Sequence, residues 1–453
     1  MKRMMNRKET KEMKDMRNEN HGRNEKHSGI RRGGIIAMAI ALTLTLAATS
    51  VSYAWGGRNE FGGQRGGQTQ NGQMGGWGMM ASSASTANLA EVSEEDLVTV
   101  ESISTDVFSK RDLEQTADTE DAETITVTDG GSVTLTKAGV YVFTGTASEY
   151  TITVEASKED KVQIVLDSVT ITNSDWPVIY VVSADKVFVT LAEGESSLSV
   201  TGSFREDGDE NPDAVIYSKD DLTLNGTGTL NVTSAAGHGI VCKDDLKITG
   251  GTWNVVAGKH AFKANDSISI CGGTYTIKAG KDGFHCGKSD GTKGSIYISD
   301  GSFTIQAGSD GIQGTTIVLI EGGTFVITSS EGIESTSLVI NDGDITISAS
   351  DDGLNAATKS LGYEVAITVN GGSLNITMAQ GDTDALDSNG NMYINGGTIN
   401  ISGQSSFDYD GVGEMTGGDV TVNGAKVTSI AGMNSFGGGF GGGFGGFGGG
   451  RGW

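Results

Sequence analysis

Proline is almost missing from this chain, with 2 among 453 residues against 70 glycines. Turns therefore fall to Gly, and two Gly-rich, low-complexity ends hold part of the excess. Cysteine is scarce too, and its count of 3 is odd, so at least one thiol is unpaired. Positive charge is in short supply. The 32 Lys and Arg face 57 Asp and Glu for a net −25, which argues against nucleic acid as a partner and favours cations. Residues 1–54 carry 11 Lys and Arg against 5 Asp and Glu, so the remainder, with 21 against 52, is more acidic still. Long apolar runs are lacking as well. The run from Ile35 to Ala48 is too short for a comfortable membrane span. It follows a basic segment ending in Lys26, Arg31 and Arg32 and precedes Ser52-Tyr53-Ala54. That order reads as a signal peptide cleaved near Ala54, and a secreted or cell-surface protein free of the membrane is expected.

What is present is repetition. An acidic residue, Gly and a bulky apolar residue recur as Asp282-Gly283-Phe284, Asp310-Gly311-Ile312, Glu331-Gly332-Ile333 and Asp352-Gly353-Leu354, then as Asp384-Ala385-Leu386 and Asp410-Gly411-Val412. Short strands with Gly pairs between them keep the same pace, the last Gly of each pair falling at Gly251, Gly273, Gly301, Gly323, Gly343, Gly372 and Gly397. A unit of about two dozen residues built this way predicts an all-β fold, a right-handed parallel β-helix whose coils stack at roughly 4.8 Å. Stacking turns sequence columns into structural columns. Trp253, Tyr275, Phe303, Phe325, Ile345, Leu374, Ile399 and Val427 form one inward column, and are read as core rather than as sugar platforms. A polar column through Asn341, Asn370, Asn395 and Asn423 reads as an asparagine ladder. Cys242 and Cys286 share a column two coils apart, too far for a disulfide, so reduced thiols are expected.

The expected organisation is a signal peptide at 1–54, a Gly-rich linker at 55–86, capping coils at 87–212, regular coils at 213–433 and a Gly/Phe-rich disordered tail at 434–453. Two insertions, Gly287 to Gly294 and Ala357 to Glu364, fall at one boundary of the repeat and are expected to project from one edge.

A Gly after an acid is ordinary turn chemistry, but its stacking is not neutral. Carboxylates about 4.8 Å apart repel by roughly 3 to 4 kcal/mol at an effective dielectric near 20, and by about 1 in bulk water. The column thickens at Asp351, Asp382 and Asp408, and oxygen ligands such as Asn355 and Asp387 lie three residues after an acid. Hard cations want six to eight oxygens, so calcium is the expected cofactor. The expected ligands are Asp351, Asp352, Asn355, Asp382, Asp384, Asp387, Asp408 and Asp410, then Asp310 and Asp282; the His and Cys look misplaced for zinc. At the other end His238, His260, Lys263 and Lys281 make a short basic stripe, with Lys263 and Lys281 placed to receive uronate carboxylates. Tyr297 and Tyr393 face solvent by alternation, and with Tyr363 of the inserted loop they are candidates to stack on sugar rings.

The phrases Val162-Gln163-Ile164-Val165-Leu166-Asp167-Ser168-Val169-Thr170, Tyr217-Ser218-Lys219-Asp220-Asp221-Leu222-Thr223-Leu224-Asn225-Gly226 and Cys242-Lys243-Asp244-Asp245-Leu246-Lys247-Ile248 resemble a family of exported carbohydrate-binding-domain proteins. The likeness runs from about Ile125 to Thr416. It implies a fold similar to pectate-lyase β-helices, bound calcium, and members that bind cellulose and acidic sugars such as polygalacturonate. Asp282, Asp310, Asp352 and Asp384 match the family's Asp-Gly turn, with Ala385 in place of the last Gly. His238 and His260 stand where the pattern has Asp.

The favoured function is thus a non-catalytic, calcium-bearing polysaccharide-binding protein, monomeric, with cellulose or an acidic glycan as ligand. A rival is a calcium-dependent pectate-type lyase, in which Lys263, Lys281 or Lys359 abstracts the C5 proton of a uronate. A third is a surface scaffold or adhesin that retains no glycan.

Overall fold

The computed structural model describes residues 106–433 apart from 207, 209, 210, 289 and 382. The signal segment, the linker, the start of the capping region and the Gly/Phe-rich tail lie outside the described residues, as does Asp382.

Alternating apolar residues make strands too short to stand alone, and each finds its hydrogen-bond partner one coil away. A representative coil consists of Asp245–Ile248, Thr252–Ala257 and Phe262–Ala264. Each of these strands pairs in parallel with its counterpart in the next coil. The result is a parallel β-helix with three faces. Among the described residues its third face is a separate 12-stranded sheet, whereas the first two join into one sheet of 22 strands. They join because strands such as Ser267–Ala279 run through the corner unbroken, with Gly273 at φ +103°. That backbone conformation is where Gly replaces other residues at no steric cost.

The expected aromatic column is the core. Trp253, Tyr275, Phe303 and Phe325 are fully buried. Tyr275, Phe303 and Phe325 stack ring on ring at 4.6 and 4.5 Å. The third strands add Phe262 and Phe284, stacked at 4.8 Å and set edge-on against Tyr275. The column ends differently from expectation. Val420, not Val427, follows Ile399, because Asp419–Val422 turns back on Ala425–Val427 as an antiparallel hairpin. Asn423 and Gly424 make that turn with φ of 51° and 76°, both positive as a type I′ turn requires. The hairpin closes the open end of the stack.

Asn423 therefore leaves the asparagine ladder, and Thr416 takes its place. The amides of Asn341, Asn370 and Asn395 donate in turn to Glu321, Asn341 and Asn370 at 2.9, 2.7 and 2.9 Å, and the Thr416 hydroxyl donates to Asn395 at 2.8 Å. Cys242 and Cys286 flank Ala264 in one register column, and all three cysteines are free.

Residues 106–115 belong to no coil. They lie across the outer side of the first face, held by a fully buried Asp112 that accepts from Thr223 Oγ1 at 2.7 Å and sits 3.3 Å from Lys186 Nζ and 3.6 Å from Lys247 Nζ. The two insertions do leave the same corner, between a third strand and the following first strand, and they touch. A side chain on Gly291 would come within 2.9 Å of the Lys359 carbonyl.

Truncating the centre of the ring stack tests this architecture. Phe303→Ala is expected to lower the free energy of unfolding by about 3 to 5 kcal/mol, read from denaturant titration followed by circular dichroism.

Candidate functional site

Backbone pairing on the third face aligns Phe262, Phe284, Ile312, Ile333, Leu354, Leu386 and Phe407 as inward neighbours. Two residues before each of them the chain turns, and there stand His260, Asp282, Asp310, Glu331, Asp352, Asp384 and Ser405. Gly follows most of these because there is no room for more: a Cβ on Gly332 would lie 2.2 Å from the Gly353 carbonyl oxygen. One residue after each inward neighbour, a second, outward column reads Lys263, His285, Gln313, Glu334, Asn355, Asp387 and Asp408. The two columns together form the ridge.

Much of the turn column is structural. Each acceptor side chain takes the backbone N–H of the equivalent residue one coil on: His260 N donates to His238 Nδ1 at 3.2 Å, Asp282 N to His260 Nδ1 at 3.2 Å, Asp310 N to Asp282 Oδ1 at 3.3 Å and Asp384 N to Asp352 Oδ1 at 3.2 Å. Imidazole Nδ1 does the same work as a carboxylate oxygen, which explains how His replaces Asp at 238 and 260. Burial suits this role, since it pushes the His238 imidazole down to about 3 and His260 below its ordinary value, against the pull of Asp213 and Asp282.

Charge that this capping does not use collects further along. Asp310, Glu331 and Glu334 each bring a carboxylate oxygen to within 4.8 Å of the others. Gln313 Nε2 donates to Glu334 Oε2 at 2.8 Å and Asn355 Nδ2 to Glu331 Oε2 at 3.0 Å. Lys359 reaches back from its insertion to Glu334 Oε1 at 2.7 Å. The buried Oδ1 of Asn355 has no hydrogen-bond partner, so a carbonyl oxygen is left over beside the carboxylates. Burial, then the carboxylates of Asp282, Glu334 and Glu331, raise Asp310 to about 8. Burial and Glu334 raise Glu331 to about 7. Burial and the acids around them raise Asp352 to about 7 and Asp387 to about 6. A cluster of hard oxygens that resists full ionisation is chemically suited to calcium.

The expected ligands are distributed along this ridge unevenly. Asp352, Asp384, Asn355, Asp387 and Asp408 lie on it, with Asp387 and Asp408 paired in register. Asp351 is exposed one residue before the turn column. Asp410 is not part of the turn column. Phe407 aligns with Leu386, so Ser405 holds the turn position and bonds to Asp384, while Asp410 lies beyond the strand, exposed, with its N–H on Ser388 O. Repeat counting missed this because the last coil has no acid-Gly phrase at its true turn. Asp282 lies not with the oxygen cluster but between imidazoles: against burial, His260 and His285 hold its carboxyl below the usual carboxylate range. The histidines are thus not misplaced for a metal, since His260, Asp282 and His285 also bring their donor atoms within 4.8 Å of one another.

Of the residues expected to meet sugar, Lys263 is half-buried on the outward column beside His285, and Lys281 is exposed just before Asp282. Tyr297 and Tyr393 sit on the first face instead, away from the ridge strands. Neither is a free platform. The ring of Phe108, from the segment that crosses that face, is 6.5 Å from Tyr297, and Tyr393 OH donates to Glu364 at 3.3 Å. Tyr363 is half-buried in its insertion. The aromatics on the outer side of the third face were not anticipated: Tyr180 pairs in register with Tyr217, which leads through Val241 to Lys263. Trp176 packs edge-on to Tyr180 at 5.5 Å, and Arg205, Lys219 and Lys243 lie over the rings of Trp176, Tyr180 and Tyr217 at 4.4, 5.9 and 5.5 Å. Irregular spacing in the early coils hid this alignment, although Tyr180 stands at an outward position between inward Ile179 and Val181, and Tyr217 between inward Ile216 and the buried Ser218.

The raised carboxyls have a consequence for pH. A carboxyl whose folded value exceeds its unfolded value adds stability that is complete below about pH 4 and is lost as pH rises through the folded value. With folded values near 6, 7, 7 and 8 for Asp387, Glu331, Asp352 and Asp310, the cation-free protein is expected to melt at progressively lower temperature from pH 5 to pH 8. In chelator at pH 8, Glu331→Gln is expected to stabilise the protein by about 1 to 2 kcal/mol, allowing for solvent screening at a half-buried site. Calorimetry across that range checks both.

Comparison with known proteins agrees with the resemblance that the phrases carry. The family described as carbohydrate-binding domain-containing protein matches residues 129–408. A relative of the same description from Acetivibrio thermocellus is 42% identical over 128 residues, which are 28% of this chain and 45% of that protein. This chain thus spans less than half the length of that relative. A solved structure, titled the polysaccharide lyase-like protein from C. thermocellum, gadolinium derivative, is 31% identical, covers 57% of this chain and 98% of its own, and superposes with a TM-score of 0.43. Because the family match takes in more than half of its 453 residues, this chain belongs to the carbohydrate-binding domain-containing protein family.

Proposed function

We propose that this protein is an exported, non-catalytic polysaccharide-binding protein that carries calcium along one edge of its β-helix. The family supports the carbohydrate ligand. The observation that carries the calcium is the convergence of Asp310, Glu331 and Glu334, with Asn355 Oδ1 unsatisfied beside them. A dication there relieves the repulsion that holds Asp310 and Glu331 partly protonated, and its open coordination positions take oxygens of the glycan. Asp352, Asp384, Asp387 and Asp408 extend the same chemistry toward the C-terminal end. An acidic glycan such as polygalacturonate fits best, because its carboxylates complete the coordination of the ion and find Lys263 and Lys281 further along the ridge. Cellulose, a neutral glycan, has no carboxylate to offer the ion. Export is inferred from the basic, apolar and small-residue order up to Ala54.

One observation favours the lyase reading. Burial, helped by Lys243, lowers the Lys263 ammonium below its ordinary value, which is the direction a general base requires. Lys359 is a poorer candidate, being paired with Glu334.

Retention on immobilised polygalacturonate is expected in calcium and is expected to vanish in chelator. Glu331→Gln with Glu334→Gln is expected to weaken it at least about tenfold, a loss of roughly 1.4 kcal/mol. Equal retention with and without chelator would sink the calcium reading, and retention on cellulose alone would reassign the ligand. Growth of ultraviolet absorbance from unsaturated product, lost in Lys263→Ala, would replace binding by elimination.

A further inference from the structure

We infer that His260, Asp282 and His285 form a second cation site, for a borderline divalent ion such as zinc, chemically separate from the oxygen cluster at Asp310. Asp282 Oδ2 lies 3.0 Å from His260 Nδ1 and 2.7 Å from His285 Nδ1. In a tetrahedral zinc site with bonds of about 2.0 to 2.1 Å, neighbouring donors stand about 3.3 Å apart. The donors thus already form two edges of the tetrahedron, short by about 0.3 and about 0.6 Å. An ion is admitted when the more exposed His285 turns out of its stack on His260, so that both Nδ1 lone pairs meet it in plane.

The arrangement is held before any ion arrives. His260 stacks on His285 at 4.3 Å and on His238 at 5.0 Å, and Asp282 and His260 are 3% and 7% exposed. His285, half-buried on the outward column, leaves one side open to solvent. Two neutral imidazoles and one carboxylate carry a single negative charge, and this nitrogen-rich set suits zinc far better than calcium, which wants oxygen.

Capping of the turn does not account for the group. The ladder of N–H acceptors requires only the turn column, where His238 accepts from His260 N and His260 from Asp282 N. His285 comes from the other column, three residues after Asp282, and converges on an oxygen that capping leaves unused, since Asp310 N donates to Oδ1. On loading, the proton on His285 Nδ1 moves to Nε2, and the long bond from Asp282 N to His260 Nδ1 is exchanged for the metal bond. Three protein ligands leave a fourth position for water, as open zinc sites do. Lys263, beside His285 in register, is the charge that opposes loading, and its side chain has the solvent side in which to turn away.

The test uses the full chain without an affinity tag, dialysed against zinc in excess calcium and then against calcium buffer without zinc, with retained metal measured by mass spectrometry. One equivalent is expected to remain at neutral pH in the presence of excess calcium. Cobalt in place of zinc is expected to give the intense visible bands of a tetrahedral ion. Both are expected to be lost, with affinity at least about tenfold weaker, in His285→Ala and in His285→Gln; the second keeps size and polarity should the first fold poorly. Wild-type protein that retains no zinc, or either variant retaining it as wild type does, overturns the assignment. Because calcium is in excess throughout, failure here leaves the polygalacturonate reading standing, and failure there leaves this one.

Discussion

Parallel pairing of each strand with its counterpart one coil away is the constraint on which this molecule depends. It places every residue directly over its equivalent, so like meets like along the whole stack. The consequence differs with chemistry. Aromatic rings gain by it, as Tyr275, Phe303 and Phe325 do. Amides gain too, because each can donate to one neighbour and accept from the other, as Asn341, Asn370 and Asn395 do. Carboxylates lose, and the ridge shows how the chain limits that loss.

Several devices act together there. Asp282 and Asp352 accept backbone N–H groups from the next coil, which offsets part of the repulsion and ties successive coils. Imidazole replaces carboxylate at His238 and His260, keeping the acceptor while dropping the charge. Gln313 and Asn355 alternate with Glu334 on the outward column, and an insertion returns Lys359 to it. Three acids, Asp310, Glu331 and Glu334, still converge against the single ammonium of Lys359, and the proposed cation chemistry sits where these structural solutions stop. Function here is an excess over what the fold needs.

The same outward column gives the third face a direction. It begins with Tyr180 and Tyr217 under basic side chains, passes through Lys263 and His285, and ends in amides and acids. A polymer lying along the coils would meet a different chemistry every few ångströms, which a globular pocket does not offer.

The sequence by itself determined the fold, because a solenoid is periodic and its period is written as Gly pairs and alternating apolar residues. It also determined the inward columns and the turn chemistry of Asp282, Asp310, Asp352 and Asp384, since each recurs at a constant offset within the unit. Only the tertiary structure decided which columns become neighbours. Gln313, Glu334 and Asn355 join the turn acids because strand geometry sets two columns side by side, and His285 meets Asp282 for that reason. Asp410 matched the phrase but missed the register, since the backbone pairs Phe407 with Leu386 whatever the local motif suggests. Tyr297 faces outward as alternation requires, yet a segment from more than a hundred residues earlier lies over it. Alternation assigns a side of the strand; what covers that side is a long-range contact that no local pattern records.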